Sequence, residues 1–123
     1  MEELVEFEGL LVPVSYAKAN SENKAKVCNG CGTEGWKGKL VPDTMWGLCV
    51  TPACQVHDWC YELGTTEKDK RYSDALMLIN MIWIIVAEGG WLMLPRCYRA
   101  IHYYIAVVKA GHDAFWNGKD KHE

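Results

Sequence analysis

The sequence lacks the marks of a secreted or membrane-spanning chain. Its first residues are acidic, whereas a secretory signal begins with basic residues and an apolar run. The longest uncharged apolar stretch covers residues 75–87, contains Asn80, and is too short to span a bilayer. We therefore expect no signal peptide and no transmembrane span. The protein is then expected in the cytoplasm of the producing cell, or released by lysis or a non-classical route.

The sequence also lacks repeats, low-complexity segments and any strong alternating pattern of the kind that indicates strands. With 123 residues and 50% apolar residues, it is expected to fold as one mainly α-helical domain. Its subdivisions are an N-terminal arm (1–26), a core that carries the candidate site (27–88), and a C-terminal helix and tail (89–123). A net charge of −3 gives no general attraction to nucleic acid, so no nucleic-acid partner is expected.

Capping residues and glycines predict three helices. Residues 1–19 indicate an amphipathic arm, residues 17–26 a polar loop, and residues 28–50 a long irregular segment rich in glycine. The first helix should begin at an N-cap on Thr51, run to about Leu63 and stop at Gly64. The second should begin after Thr65 or Thr66 and end at Ala87 or Glu88, and the third should run from near Pro95 to near Ala110.

The first predicted helix places chemically active side chains on one face. At about 100° per residue, Cys54, His57, Asp58 and Tyr61 fall in one quadrant. His57 lies seven residues before Gly64, and Asp74 lies seven residues after Glu67, where the second helix begins. If the two helices pack antiparallel, His57 and Asp74 should lie side by side. The carboxylate could then bind Nδ1–H of His57, which leaves Nε2 to take a proton from water.

A glycine-rich loop precedes this helix and predicts a metal site. Glycines let a backbone turn its carbonyl oxygens inward, and several carbonyls with one carboxylate form a calcium-type site. The expected sources of these oxygens are the backbone of residues 29–35 and the carboxylate of Asp58. A disulfide between Cys31 and Cys54 would fasten the loop one turn before His57, but the sequence leaves the state of its six cysteines open.

The string C-x-x-H-D-x-C-Y at residues 54–61, after a Cys-Gly loop and before an Asp on the next helix, resembles the secreted phospholipase A2 superfamily. The resemblance covers roughly residues 28–81. It is closest to small bacterial and phage-encoded members with a Val-Pro-Asp-Thr-x-x-Gly segment before the helix. It implies calcium-dependent hydrolysis of the phospholipid sn-2 ester at a membrane or micelle surface. His57 would be the base, Asp74 its partner and Tyr61 a supporting residue. The calcium ligands would be Asp58 and the backbone at Gly30, Gly32 and Gly35, with a carbonyl near Glu34 or Gly35.

The chain departs from the family pattern at two cysteine positions, where Ala53 and Ser73 stand. Cys60 is therefore expected to lack its usual partner. Two other functions stay open. One is a zinc-stabilised binding module that uses Cys28, Cys31, Cys54 and His57, and the other is an inactive, lipid-binding relative. Head-group preference and oligomeric state are not determined by the sequence.

Overall fold

In the computed structural model, six helices and two short hairpins make up the described part of the chain, residues 2–27, 44–117 and 119. The strands are β1 (Leu4–Phe7), β2 (Leu10–Pro13), β3 (Thr44–Met45) and β4 (Leu48–Cys49). The helices are α1 (Val14–Lys18), α2 (Ser21–Val27), α3 (Thr51–Leu63), α4 (Glu67–Glu88), α5 (Met93–Ala110) and α6 (His112–Trp116). The expectation of a mainly α-helical fold is confirmed. Among the described residues, no helix has both the length and the apolar content that crossing a membrane requires.

The N-terminal region differs from its prediction, because residues 4–13 form an antiparallel hairpin and residues 14–27 contain two short helices. Both hairpins, β1–β2 and β3–β4, turn through two residues of positive φ, Glu8-Gly9 and Trp46-Gly47. Such tight turns match the twist of the strands they join. The strands have two to four residues each, which is too short for an alternating pattern to appear in the sequence.

The three main helices lie close to their predicted limits. Helix α4 begins after Thr66, whose side chain forms a capping box with Asp69. At the start of α3 the prediction was off by one residue, because Val50 is the N-cap and Thr51 is already helical. Helix α3 ends at Gly64 as expected. Gly64 has φ −68, which any residue can adopt, so the backbone conformation does not explain the glycine. A Cβ at Gly64 would lie 2.6 Å from a carbon of the Phe115 ring, so close packing requires the glycine.

Helix α4 contributes to two apolar clusters. One joins Met77, Met81 and Ile85 to α3, α5 and the β3–β4 hairpin, and the other joins Leu76 to α3 and the N-terminal hairpin. Asn80 lies on the same helix, fully buried, and bonds to both backbone groups of Leu11: its Oδ1 accepts from N–H at 2.7 Å and its Nδ2 donates to C=O at 2.9 Å. The amide thus satisfies the edge of β2 as a neighbouring strand would.

Candidate active site around His57 and Asp74

The predicted active face of α3 is turned into the protein. Cys54, His57 and Tyr61 are buried, His57 completely, while Asp58 is partly exposed. The four side chains therefore share a sector of the helix, but only the carboxylate at its edge reaches solvent. This arrangement follows from the 3.6-residue period, which places positions 54, 57 and 61 one above another.

His57 and Asp74 meet across the α3–α4 pair. The Nε2 atom of His57 lies 2.8 Å from Oδ1 of Asp74, and both side chains are fully buried. In one continuous helix these residues would be about 25 Å apart. The contact therefore requires the chain reversal at residues 64–66, and the predicted antiparallel pairing is confirmed.

The ring orientation reverses the predicted roles of the two imidazole nitrogens. Burial alone would raise the pKa of Asp74, but the hydrogen bond and charge of His57, with hydrogen bonds from Lys70 and Tyr61, hold that pKa below its ordinary value. Asp74 is thus an ionised acceptor, and Nε2 of His57 must carry the proton that it accepts. In the neutral imidazole with this tautomer, the lone pair lies on Nδ1.

Asp74 is the centre of a buried network with three donors. The Tyr61 hydroxyl donates to Oδ1 at 2.7 Å, beside the His57 contact, and Lys70 Nζ donates to Oδ2 at 2.7 Å. Both carboxylate oxygens are therefore engaged, which fixes the plane of the carboxylate and with it the His57 ring. The Lys70 cation balances the Asp74 charge, so the site carries no uncompensated charge from this pair.

Lys70 was not identified as a site residue from the sequence. Its side chain is only 3% exposed, and Nζ also donates to the Val108 carbonyl of α5 at 3.3 Å. The signal in the sequence is its spacing, since Lys70 and Asp74 are four residues apart and lie on one face of α4. Lys70 therefore joins the dyad to a third helix.

Tyr61 supports His57 by direct ring contact as well as through Asp74. The two ring centroids lie 4.1 Å apart with the ring planes tilted by 48°, and Phe115 contacts Tyr61 edge-on at 5.2 Å. Burial, and then the neighbouring Asp74 charge, raise the pKa of Tyr61 far above its ordinary value. The phenol therefore stays protonated and keeps donating to Asp74.

The end of α3 is held by Lys119. Its Nζ donates to the carbonyls of Tyr61 and, at 2.6 Å, of Gly64, and it lies 3.9 Å from the centroid of the Phe115 ring. Burial lowers the pKa of Lys119 from its ordinary value. These carbonyls belong to the last turn of the helix and to its C-cap, where a cation is favourable.

The predicted calcium ligands are only partly within the described residues. Asp58 follows His57 directly in the sequence and is partly exposed. The other expected ligands, Gly30, Gly32 and Gly35, lie outside the described residues, as does Cys31. Among the residues that are described, no cluster of three or more His, Cys, Asp or Glu side chains could hold a metal ion. Within the described residues, Asp58 would therefore supply one carboxylate to a calcium ion, and the ion would need further oxygen ligands.

The cysteines in the described part of the chain differ in state. Cys54 is disulfide-bonded, whereas Cys49, Cys60 and Cys97 form no disulfide. The expectation that Cys60 lacks a partner cysteine is confirmed.

Comparisons of the chain with protein-family models, with curated proteins and with solved structures found no match.

Proposed function

We propose that this chain hydrolyses the sn-2 ester of phospholipids in a calcium-dependent reaction, with His57 as general base. The observation that carries the proposal is the buried hydrogen bond between His57 and Asp74. These residues occupy the positions that the resemblance to the secreted phospholipase A2 superfamily assigns to the catalytic pair. The phospholipase-like arrangement of the fold is part of the same proposal.

The proposed reaction begins with a water molecule at Nδ1 of His57. As the water oxygen bonds to the ester carbonyl carbon, Nδ1 takes one of its protons, and Asp74 stabilises the resulting imidazolium through Nε2–H. Collapse of the tetrahedral intermediate breaks the carbon–oxygen bond to the glycerol, and His57 returns the proton to the leaving oxygen. Asp58 would help to hold calcium, and bound calcium would supply positive charge that polarises the carbonyl.

The two alternative functions are less well supported. A zinc-binding module would need Cys54 as a thiolate ligand, but Cys54 is disulfide-bonded. An inactive relative would have no need for an ionised carboxylate aligned on a histidine, whereas a general base requires that alignment.

The test is release of labelled sn-2 fatty acid from a defined phospholipid, measured in calcium and in EGTA. His57→Gln is expected to lower the calcium-dependent rate by about 10²–10⁴-fold, while His112→Gln on α6 is the matched histidine control. Asp58→Asn is expected to raise the calcium concentration needed for half-maximal rate. A folded wild-type protein without activity in calcium would refute the enzyme, and an active His57→Gln variant would refute the mechanism alone.

A further inference from the structure

Helix α5 carries an exposed apolar face along its whole length. We call this face the α5 stripe and define it as Leu94, Tyr98, Ile101, Ile105 and Val108. The spacings are four, three, four and three residues, which keep these side chains on one side of a helix. Leu94 is 74% exposed, Tyr98 65%, and Ile101 and Ile105 each 44%.

The opposite side of α5 already packs against the protein. Arg96, Ala100 and Val107 are buried there, and Arg96 donates to the backbone carbonyls of Met45 and Trp46 at 3.0 and 2.6 Å. The core therefore does not need the α5 stripe. A helix that packs on one side normally shows polar residues on the other, and a continuous exposed apolar face marks an interaction surface.

The charges on α5 are all of one sign. The helix contains no acidic residue. Lys109 is exposed beside the stripe, and Arg99 is exposed further round the helix, over the Trp46 ring at 5.0 Å. The chain as a whole has a net charge of −3, so this helix is a basic surface on an acidic protein. An apolar face bordered by cations is complementary to a lipid surface that carries negative charge.

We propose that the α5 stripe docks the protein on an anionic phospholipid surface. The stripe side chains would enter the boundary between head groups and acyl chains, and Arg99 and Lys109 would contact lipid phosphates. Trp91, 87% exposed just before α5, is the type of residue that favours this boundary. A second copy of the chain is the weaker candidate, because packing two such helices would bring like charges together.

The stripe is joined to the candidate active site at its C-terminal end. The carbonyl of Val108 accepts from Lys70 Nζ at 3.3 Å, and the same Nζ donates to Asp74 at 2.7 Å. Docking through α5 would thus bring the His57–Asp74 pair close to lipid. This proposal adds to the proposed function the surface through which the protein meets lipid. It depends on the proposed function only where the lipid is taken to be the substrate.

The experiment measures binding without hydrolysis. Full-length protein in EGTA is sedimented with vesicles of phosphatidylcholine alone or mixed with phosphatidylglycerol. Wild type is expected to bind the anionic vesicles, and Ile101→Ser/Ile105→Ser to bind them about tenfold more weakly. The matched control is Ile79→Ser/Val86→Ser on α4, whose side chains are 40% and 55% exposed and which is expected to bind as wild type does.

A second variant tests the charges. Arg99→Gln/Lys109→Gln is expected to lose about fivefold in affinity per charge removed, with less loss at high salt. Lys68→Gln/Arg71→Gln on α4 is its control, and thermal unfolding shows that each variant is folded. Three results would overturn the proposal. Wild type could show no preference for anionic vesicles, or the α4 controls could lose as much vesicle affinity as the α5 variants. The third is a wild-type dimer that does not bind vesicles and that the α5 substitutions dissociate. Because the readout is binding, a failed hydrolysis assay leaves its result unaffected.

Discussion

The buried ion pair between Lys70 and Asp74 gives the sharpest prediction on stability. Replacing Lys70 by Met removes the cation 2.7 Å from Oδ2 and leaves a fully buried carboxylate uncompensated. Removal of one partner of a buried pair costs about 3–5 kcal/mol. Since single domains are stable by only about 5–15 kcal/mol, Lys70→Met should lose a large share of the free energy of unfolding. We expect its thermal midpoint to fall by roughly 10 °C or more.

A double-mutant cycle separates charge compensation from packing. Asp74→Asn alone strands the Lys70 cation, whereas Lys70→Met/Asp74→Asn removes both charges together. The double variant should therefore be more stable than the sum of the single losses predicts, by about 1–3 kcal/mol. Lys68→Met is the control, because Lys68 lies exposed on the same helix and should change stability by less than about 0.5 kcal/mol.

The assay is urea unfolding followed by tryptophan fluorescence and circular dichroism, with equal m-values required of all variants. If Lys70→Met costs less than about 1 kcal/mol, or if the cycle shows no coupling, the Lys70 cation does not compensate Asp74. The account of Asp74 as the centre of the network would then be wrong, whatever the enzymatic activity proves to be.

Two further predictions concern acid and packing. The pKa of Asp74 is held below that of an ordinary aspartate, about 3.9, so its stabilising contribution is complete above that pH and is lost as pH falls below it. Urea midpoints measured down to about pH 2 should fall less steeply for Asp74→Asn than for wild type. Gly64→Ala places a Cβ 2.6 Å from Phe115 and should cost about 1–3 kcal/mol. Gly47 has φ +84 and open space around it, so Gly47→Asn should destabilise the protein less than Gly47→Ala does. At Gly64 the order should be reversed, and Gly64→Asn should destabilise the protein more than Gly64→Ala does. Thermal midpoints in the opposite order would contradict this explanation.

The main helices could be predicted because their ends are encoded locally. Thr66 and the glycines at 64, 89 and 111 act on the residues beside them, so the limits of α3, α4 and α5 are readable from the sequence. The hairpins could not be predicted in the same way. Their turns use Glu-Gly and Trp-Gly in place of the strongly indicative Asn-Gly or Asp-Gly. Burial of the β2 edge also depends on Asn80, 69 residues away from Leu11.

The sequence predicted which residues of the candidate site are neighbours, but not which ring nitrogen of His57 faces Asp74. Helix geometry placed His57, Tyr61 and Asp74 together, yet it gives only the face of a side chain and not the rotation of its ring. The assignment of Nδ1 and Nε2 was therefore reversed. Lys70 was missed for a related reason, since a lysine within a helix is usually solvated, and only its 3% exposure reveals the buried pair.

The contact of Lys119 with the end of α3 has a consequence for how the chain is made. A ribosome delivers the N-terminus first, so α3 and α4 are complete before residue 119 is added. Until then, the carbonyls of Tyr61 and Gly64 lack the ammonium group that they accept from in the finished protein. Helix α3 thus gains these two hydrogen bonds only late in synthesis. A fragment that stops at Ala110 would contain the dyad without the lysine that bonds to the end of its helix.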